Sequence, residues 1–169
     1  DYAVTGVQTC ALPISGSTLR CVHVFQDGQH NNGGGIMLER RRSPGFFEAI
    51  HETRTYAVSN VAADSRLGEL RADYLRIHGV SAVLVAPFRQ GNKVRGVITH
   101  EYQGGTREWT RDEASFASSL ADFVALAITA NDRREAEDKL REMANYDRLT
   151  GLPNRSLFMD RMAQALAKA

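Results

Sequence analysis

Cys21 and His23 are the first residues whose types and spacing could do chemistry. Two apart in an apolar run, they share one strand face, and soft ligands so placed begin a metal site. A tetrahedral site needs further partners. The other cysteine is Cys10 and no zinc spacing occurs, so no metal is expected and Cys21 reads as a buried, inert thiol. Asp64 and Arg66 stand before an apolar stripe, where a local ion pair more often fixes a loop than touches a ligand. His78 precedes Gly79, and a helix C-terminus favours a histidine there as readily as a ligand does. His100 and Glu101 are strand neighbours, so they point to opposite faces and cannot serve one site. Trp109 reads as core rather than as a stacking platform.

The elements that must position these residues follow from pattern. Leu19–Gln26 (LRCVHVFQ) and Ile36–Arg40 read as strands, with Asn31–Gly35 a flexible loop between them. Ser43 and Pro44 predict a capped helix through Phe46, Phe47 and Ile50. Tyr56, Val58 and Val61 alternate as in a half-buried strand. Asp64 and Ser65 then precede a helix carrying Leu67, Leu70, Tyr74, Leu75 and Ile77. Val80–Phe88 and Val94–Tyr102 form a hairpin around Gln90-Gly91-Asn92. Thr110 and Glu113 make a capping box for a long helix whose stripe is Phe116, Leu120, Phe123, Val124, Ala127 and Ile128. Without Pro or Gly from Arg111 to Asn145, that helix is predicted continuous, roughly 50 Å at 1.5 Å per residue. Beyond Ala130 the stripe thins to Ala136, Leu140 and Met143 among charges of both signs. A two-stranded coiled-coil seam is favoured there over a single exposed helix with i,i+4 ion pairs.

The 169 residues are 43% apolar and 24% charged, as in an ordinary globular chain. Lys plus Arg is 21 and Asp plus Glu is 20, a net charge of +1 with no basic stripe. A nucleic-acid partner is therefore not expected. No unbroken apolar run long enough to span a membrane occurs, so no membrane segment is expected. Val4–Ile14 (VTGVQTCALPI) resembles the translation of a sequencing adapter. Residues 1–15 are accordingly expected to be irregular and outside any domain, Cys10 to carry no chemistry, and the natural start to lie upstream.

Taken together, Asp64/Arg66, Gly79-Val80-Ser81, Ala86-Pro87-Phe88, Gly91, Gly96-Val97 and Trp109-Thr110-x-x-Glu113 resemble the later two-thirds of a GAF domain, in order and spacing. The resemblance implies an α+β fold, with a central antiparallel sheet flanked by helices and a long C-terminal linker helix. It places the domain at residues 16–130, with the family's first helix lacking, and the linker at 131–145. It also implies a pocket between one sheet face and its covering helices, mostly apolar with a few orienting polar groups. The candidates are Asn60, Asp64, Arg66, Tyr74, His78, Ser81 and His100. No cysteine follows Cys21, so covalent bilin attachment is not expected. The cysteine count also argues against the sulfoxide-reductase members of the family, and the Asn-Lys-x-Phe-Asp-Glu motif of the cyclic-nucleotide members is not visible.

Asn145–Phe158 (NYDRLTGLPNRSLF) resembles the opening of a GGDEF domain, the diguanylate cyclase module, over residues 146–169. The matching positions are Asp147, Leu149, Thr150, Gly151, Leu152, Pro153, Asn154 and Arg155. Asp147 and Thr150 should close a turn, and Pro153 should preset the next helix, whose Phe158, Met162, Ala165 and Leu166 face a core. The family's metal-binding acids and GGDEF loop come later, so Mg²⁺ and GTP belong to a complete cyclase and no catalytic residue is assigned in this chain. The resemblances imply a cytoplasmic sensory module of a bacterial signalling protein, homodimeric through the linker helix and open to a small-molecule ligand. The alternative is a ligand-free GAF dimerisation module. A GAF enzyme or photoreceptor is a more distant third.

Overall fold

A computed structural model describes residues 7–13, 17–26, 29–32, 37–68, 70–71, 75–147 and 149–167. The strands are β1 Val7–Pro13, β2 Thr18–Gln26, β3 Gln29–Asn32, β4 Met37–Glu39, β5 Tyr56–Val58, β6 Ala82–Gln90 and β7 Lys93–Tyr102. The helices are α1 Pro44–Glu52, α2 Arg111–Asn145 and α3 Arg155–Leu166. The chain forms two compact units, Asp1–Leu126 and Ala127–Ala169.

In the first unit all pairings are antiparallel. The strand order is β3-β2-β1-β7-β6-β5, with β4 also on β2. β1 therefore lies between β2 and β7, running from Val7 opposite His100 to Ala11 opposite Gly96. The irregularity expected of residues 1–15 is overturned for Val7–Pro13, the part of that stretch among the described residues. Without β1, two inner strands would present unpaired N–H and C=O groups, and a ladder satisfies them whatever the side chains. Asn31 and Asn32 likewise belong to β3 rather than to a loop, because Gln29–Asn32 pairs back on β2. The β6–β7 hairpin closes through Gly91 and Asn92 between Gln90 and Lys93, with Gly91 at φ 60°. Glycine adopts that left-handed conformation without steric cost.

Alternation divides the sheet into two faces. Val83, Val85 and Val97 pack with Tyr56, Val58 and Leu19 beneath Phe46, Phe47 and Ile50 of α1. Phe46 meets Phe47 and Tyr56 edge-on at 5.9 and 6.2 Å between ring centroids. The guanidinium of Arg89 donates to the carbonyls of Ile50, His51 and Thr53, which satisfies the C-terminal end of α1. At the other end Ser43 does not cap α1; its Oγ accepts from the amide of Leu70. The expected helix after Asp64 opens as a 3₁₀ turn, Ser65–Leu67, halted by Gly68 at φ 53°.

The opposite face carries Ala82, Leu84, Ala86, Phe88, Ile98 and His100, all buried. α2 is unbroken over 35 residues, as its composition predicts. Thr110 Oγ1 accepts from the amide of Glu113, whose carboxylate accepts from the amide and hydroxyl of Thr110. The expected stripe needs correction, since Phe116 and Phe123 are 66% and 68% exposed. The buried face is Ala117, Ser118 and Ala121. One stretch of α2 is long and apolar enough to cross a membrane by length and composition, which the search for an unbroken apolar run missed.

In the second unit, Asp147 Oδ1 accepts from the amide of Thr150 at 2.9 Å and from its hydroxyl at 2.8 Å, the turn expected of these residues. Pro153 stands outside α3, bridged to Tyr146; Asn154 is the N-cap, accepting from the amide of Leu157. Phe158, Met162 and Leu166 are exposed rather than turned to a core, along with Leu149 and Leu152.

Candidate functional site

The candidate residues do not form one site. Asp64 and Arg66 make a two-pronged ion pair: Arg66 Nη2 donates to Asp64 Oδ2 at 2.6 Å and Nε to Oδ1 at 3.0 Å. Asp64 Oδ1 also accepts from the amide of Arg66, so the carboxylate caps the 3₁₀ turn. The Arg66 guanidinium lies 4.6 Å from the centroid of Tyr56. The hydrogen bond from Arg66 holds the Asp64 carboxyl below its ordinary range. Burial, then the Asp64 charge, push the Tyr56 phenol upward. Its hydroxyl is buried beside Asp64 without a bond of normal geometry. The cluster ties the turn after β5 to Tyr56.

His100 is on the α2 side of the sheet, away from the α1 face. Its Nε2 is buried with no partner, and burial lowers its pKa against an opposing pull from Glu113. His78 is exposed in a turn, and its carbonyl accepts from Gln103 Nε2 at 2.7 Å. Tyr74 lies outside the described residues, as do the side chains of Cys10, Cys21 and His23.

Asn60 and Ser81 do come together. They line a groove of about 630 Å³ with Val61, Ala62, Arg71, Arg76, Val80, Gly105 and Thr106. Ser81 is held on both sides, donating to the Tyr102 carbonyl at 2.9 Å and accepting from the Gly105 amide at 3.0 Å. Asn60 Oδ1 accepts from the amide of Ala62, and Arg71 Nη1 donates to the Ala62 carbonyl. Among the described residues lining it, none carries a negative charge.

Sequence reading missed the cluster beside this groove. The Arg107 guanidinium lies 5.0 Å from the ring centroid of Tyr102 and 4.6 Å from that of Trp109, and it pairs with Glu113. Its amide donates to the Ser59 carbonyl and Trp109 Nε1 to that of Val58. Trp109 is thus a stacking platform after all, for a guanidinium of the same chain. The pattern of aromatics at 102 and 109 around Arg107, with an acid at 113, carried that signal. Glu113 is held below its ordinary range by hydrogen bonds from Thr110, then by Arg107.

The α1-covered face is closely lined by apolar side chains among the described residues. Phe46, Phe47, Ile50, Leu67, Leu70 and Leu75 are among them, all under one-tenth exposed. A second groove, of about 510 Å³, lies at the α1–hairpin end, lined by Arg40, Phe47, His51, Lys93 and Arg95 among others.

In structure, the chain is similar to the blue-light absorbing form of the Thermosynechococcus elongatus PixJ GAF domain. That match has TM-score 0.65 and 20% identity over 80% of each chain. It is also similar to the GAF domain of a two-component sensor histidine kinase from Bacillus halodurans, with TM-score 0.59 and 22% identity over 77% of this chain and 84% of that one. A third is the phycocyanobilin-bound GAF domain from a cyanobacterial phytochrome, with TM-score 0.58 and 16% identity over 73% and 74%. At these identities the likeness concerns the fold. No curated protein matches in sequence. The sequence profile of the GAF domain matches residues 2–128, which takes in β1 as well as the sheet, both flanking layers and the start of α2. With most of its length so matched, the chain belongs to the GAF domain family.

Proposed function

We propose that this GAF sensory domain is the input module of a bacterial, cytoplasmic signalling protein that controls cyclic di-GMP synthesis by a GGDEF domain. The observation that carries this reading is the continuity of α2, which starts at the Arg107–Glu113 cluster and runs unbroken to Asn145, directly before the Asp147–Arg155 turn. A rod without Pro or Gly passes rotation or register along its length. Pairing of two α2 helices, through Phe123, Leu126, Leu140 and Met143 on its exposed side, would bring two cyclase domains together. GTP and Mg²⁺ are handled by the complete cyclase, and this chain contributes no catalytic group.

One observation favours the alternative of a ligand-free dimerisation module: the described apolar residues of the α1-covered sheet face are almost wholly buried by one another. The chain continued after Leu166 by the remainder of a GGDEF domain tests the control of the cyclase. Cyclic di-GMP formation from GTP should depend on the GAF domain and fall on Leu140→Asp. Equal rates with and without residues 1–126 would overturn the sensory reading.

A further inference from the structure

The groove beside Arg107 has the composition of an anion site. Arg71 and Arg76 both line it, and no acid pairs with either among the described residues. Arg71 is held in place, with Nη1 on the Ala62 carbonyl at 2.8 Å, and no other partner of its fork is found among the described residues. Thr106 and Asn60 add uncharged polar groups at the same edge, where Ser81 fixes the backbone of Gly105. Gly105 takes φ 109° and has no heavy atom within 4 Å of where a Cβ would stand, so the backbone is open to a ligand. Two guanidinium groups around hydroxyl and amide groups match the oxygens of a carboxylate or phosphate. Val61, Val80 and Ala62 give an apolar wall for the body of the molecule.

We infer that this groove binds a small organic oxyanion through Arg76 and Arg71. The inference rests on the sensory reading above and supplies its ligand class. It also gives a route for the signal. The groove's Gly105-Thr106 segment leads straight into Arg107, which is paired with the capping residue of α2. An anion drawing Gly105 and Thr106 toward Arg76 would pull on that pair and so on the first turn of the helix.

The test is titration of ¹⁵N-labelled chain with inorganic phosphate and, separately, with succinate, against sodium chloride at matched ionic strength. Saturable shifts of the Gly105 and Thr106 amides are expected with at least one anion, and the responsive one identifies a phosphoryl or a carboxylate ligand. Arg76→Gln should weaken binding about tenfold, the scale of one charge-assisted contact. Arg54→Gln, whose arginine pairs with Asp122 outside the groove, should leave it unchanged. Shifts no larger than those in chloride, or full binding by Arg76→Gln, would overturn the inference. Binding without any change in output of the fused cyclase would uphold the site and count against the sensory reading alone.

Discussion

Protonating His100 would place a charge between the sheet and the small-residue face of α2, where its Nε2 has no partner. Burial lowers its pKa below the ordinary 6.5, and burial with Arg40 and Arg89 nearby lowers that of His51. The unfolded chain therefore binds more protons than the folded one just below that value. Stability is fully present above it and is lost as pH falls toward the folded-state values. Urea unfolding at about pH 7.5 and about pH 5.5 should show a lower midpoint in acid. His100→Leu should shrink the difference and leave the share of His51; an unchanged difference would mean that His100 titrates normally. Phe46 is 1% exposed and touches two other rings. Phe46→Ala should cost about 3–5 kcal/mol in the same assay.

At the scale of elements, the capping box of α2 is the feature most cleanly testable. Thr110→Ala removes one side of it and should cost about 1 kcal/mol, read as a lower melting temperature. The box, the Gly91–Asn92 hairpin, the length of α2 and the Asp147–Thr150 turn were all legible in the sequence, because each depends on residues a few positions apart. The docked face of α2 was not. Its apolar residues surround the helix broadly, and bulk pointed to Phe116 and Phe123, whereas the buried positions are Ala117 and Ala121. Small side chains let two backbones approach, a preference that hydrophobicity alone conceals. The place of β1 was also hidden, since strand pairing is non-local and the composition of Val7–Pro13 has no bearing on which edges need a partner. The candidate site divided likewise. Asp64 and Arg66 were readable as neighbours two apart. Arg71 and Arg76 meet Gly105 only because β6 and β7 bring positions distant in sequence to one edge.

For the molecule as a whole, the inner position of β1 reverses the expectation for its removal. Deleting residues 1–15 strips the ladder from both β2 and β7 and should lower the melting temperature by well over the ~4 °C that accompanies 1 kcal/mol in a domain of this size. An unchanged melting temperature would show that β2 and β7 close on each other without it. Association belongs to the same scale. Sedimentation of the chain should give a dimer, and Leu140→Asp, at a site 62% exposed in one copy, should shift it to monomer. A wild-type chain that stays monomeric at high concentration would remove the seam from α2.

The alanines beneath α2 have a mechanical consequence. Ala117 and Ala121 are buried and short, so this face of α2 is a smooth track without large pegs. Such a contact resists being lifted, because lifting wets the buried alanines, but it resists sliding less, because little interdigitation has to be undone. Displacement along the helix axis is therefore less opposed on this face than lifting, and the Arg107–Glu113 pair ties the first turn of α2 to the loop before it. A bulky residue at Ala117 would jam the track and hold the helix in one position, whatever occupies the groove beside it.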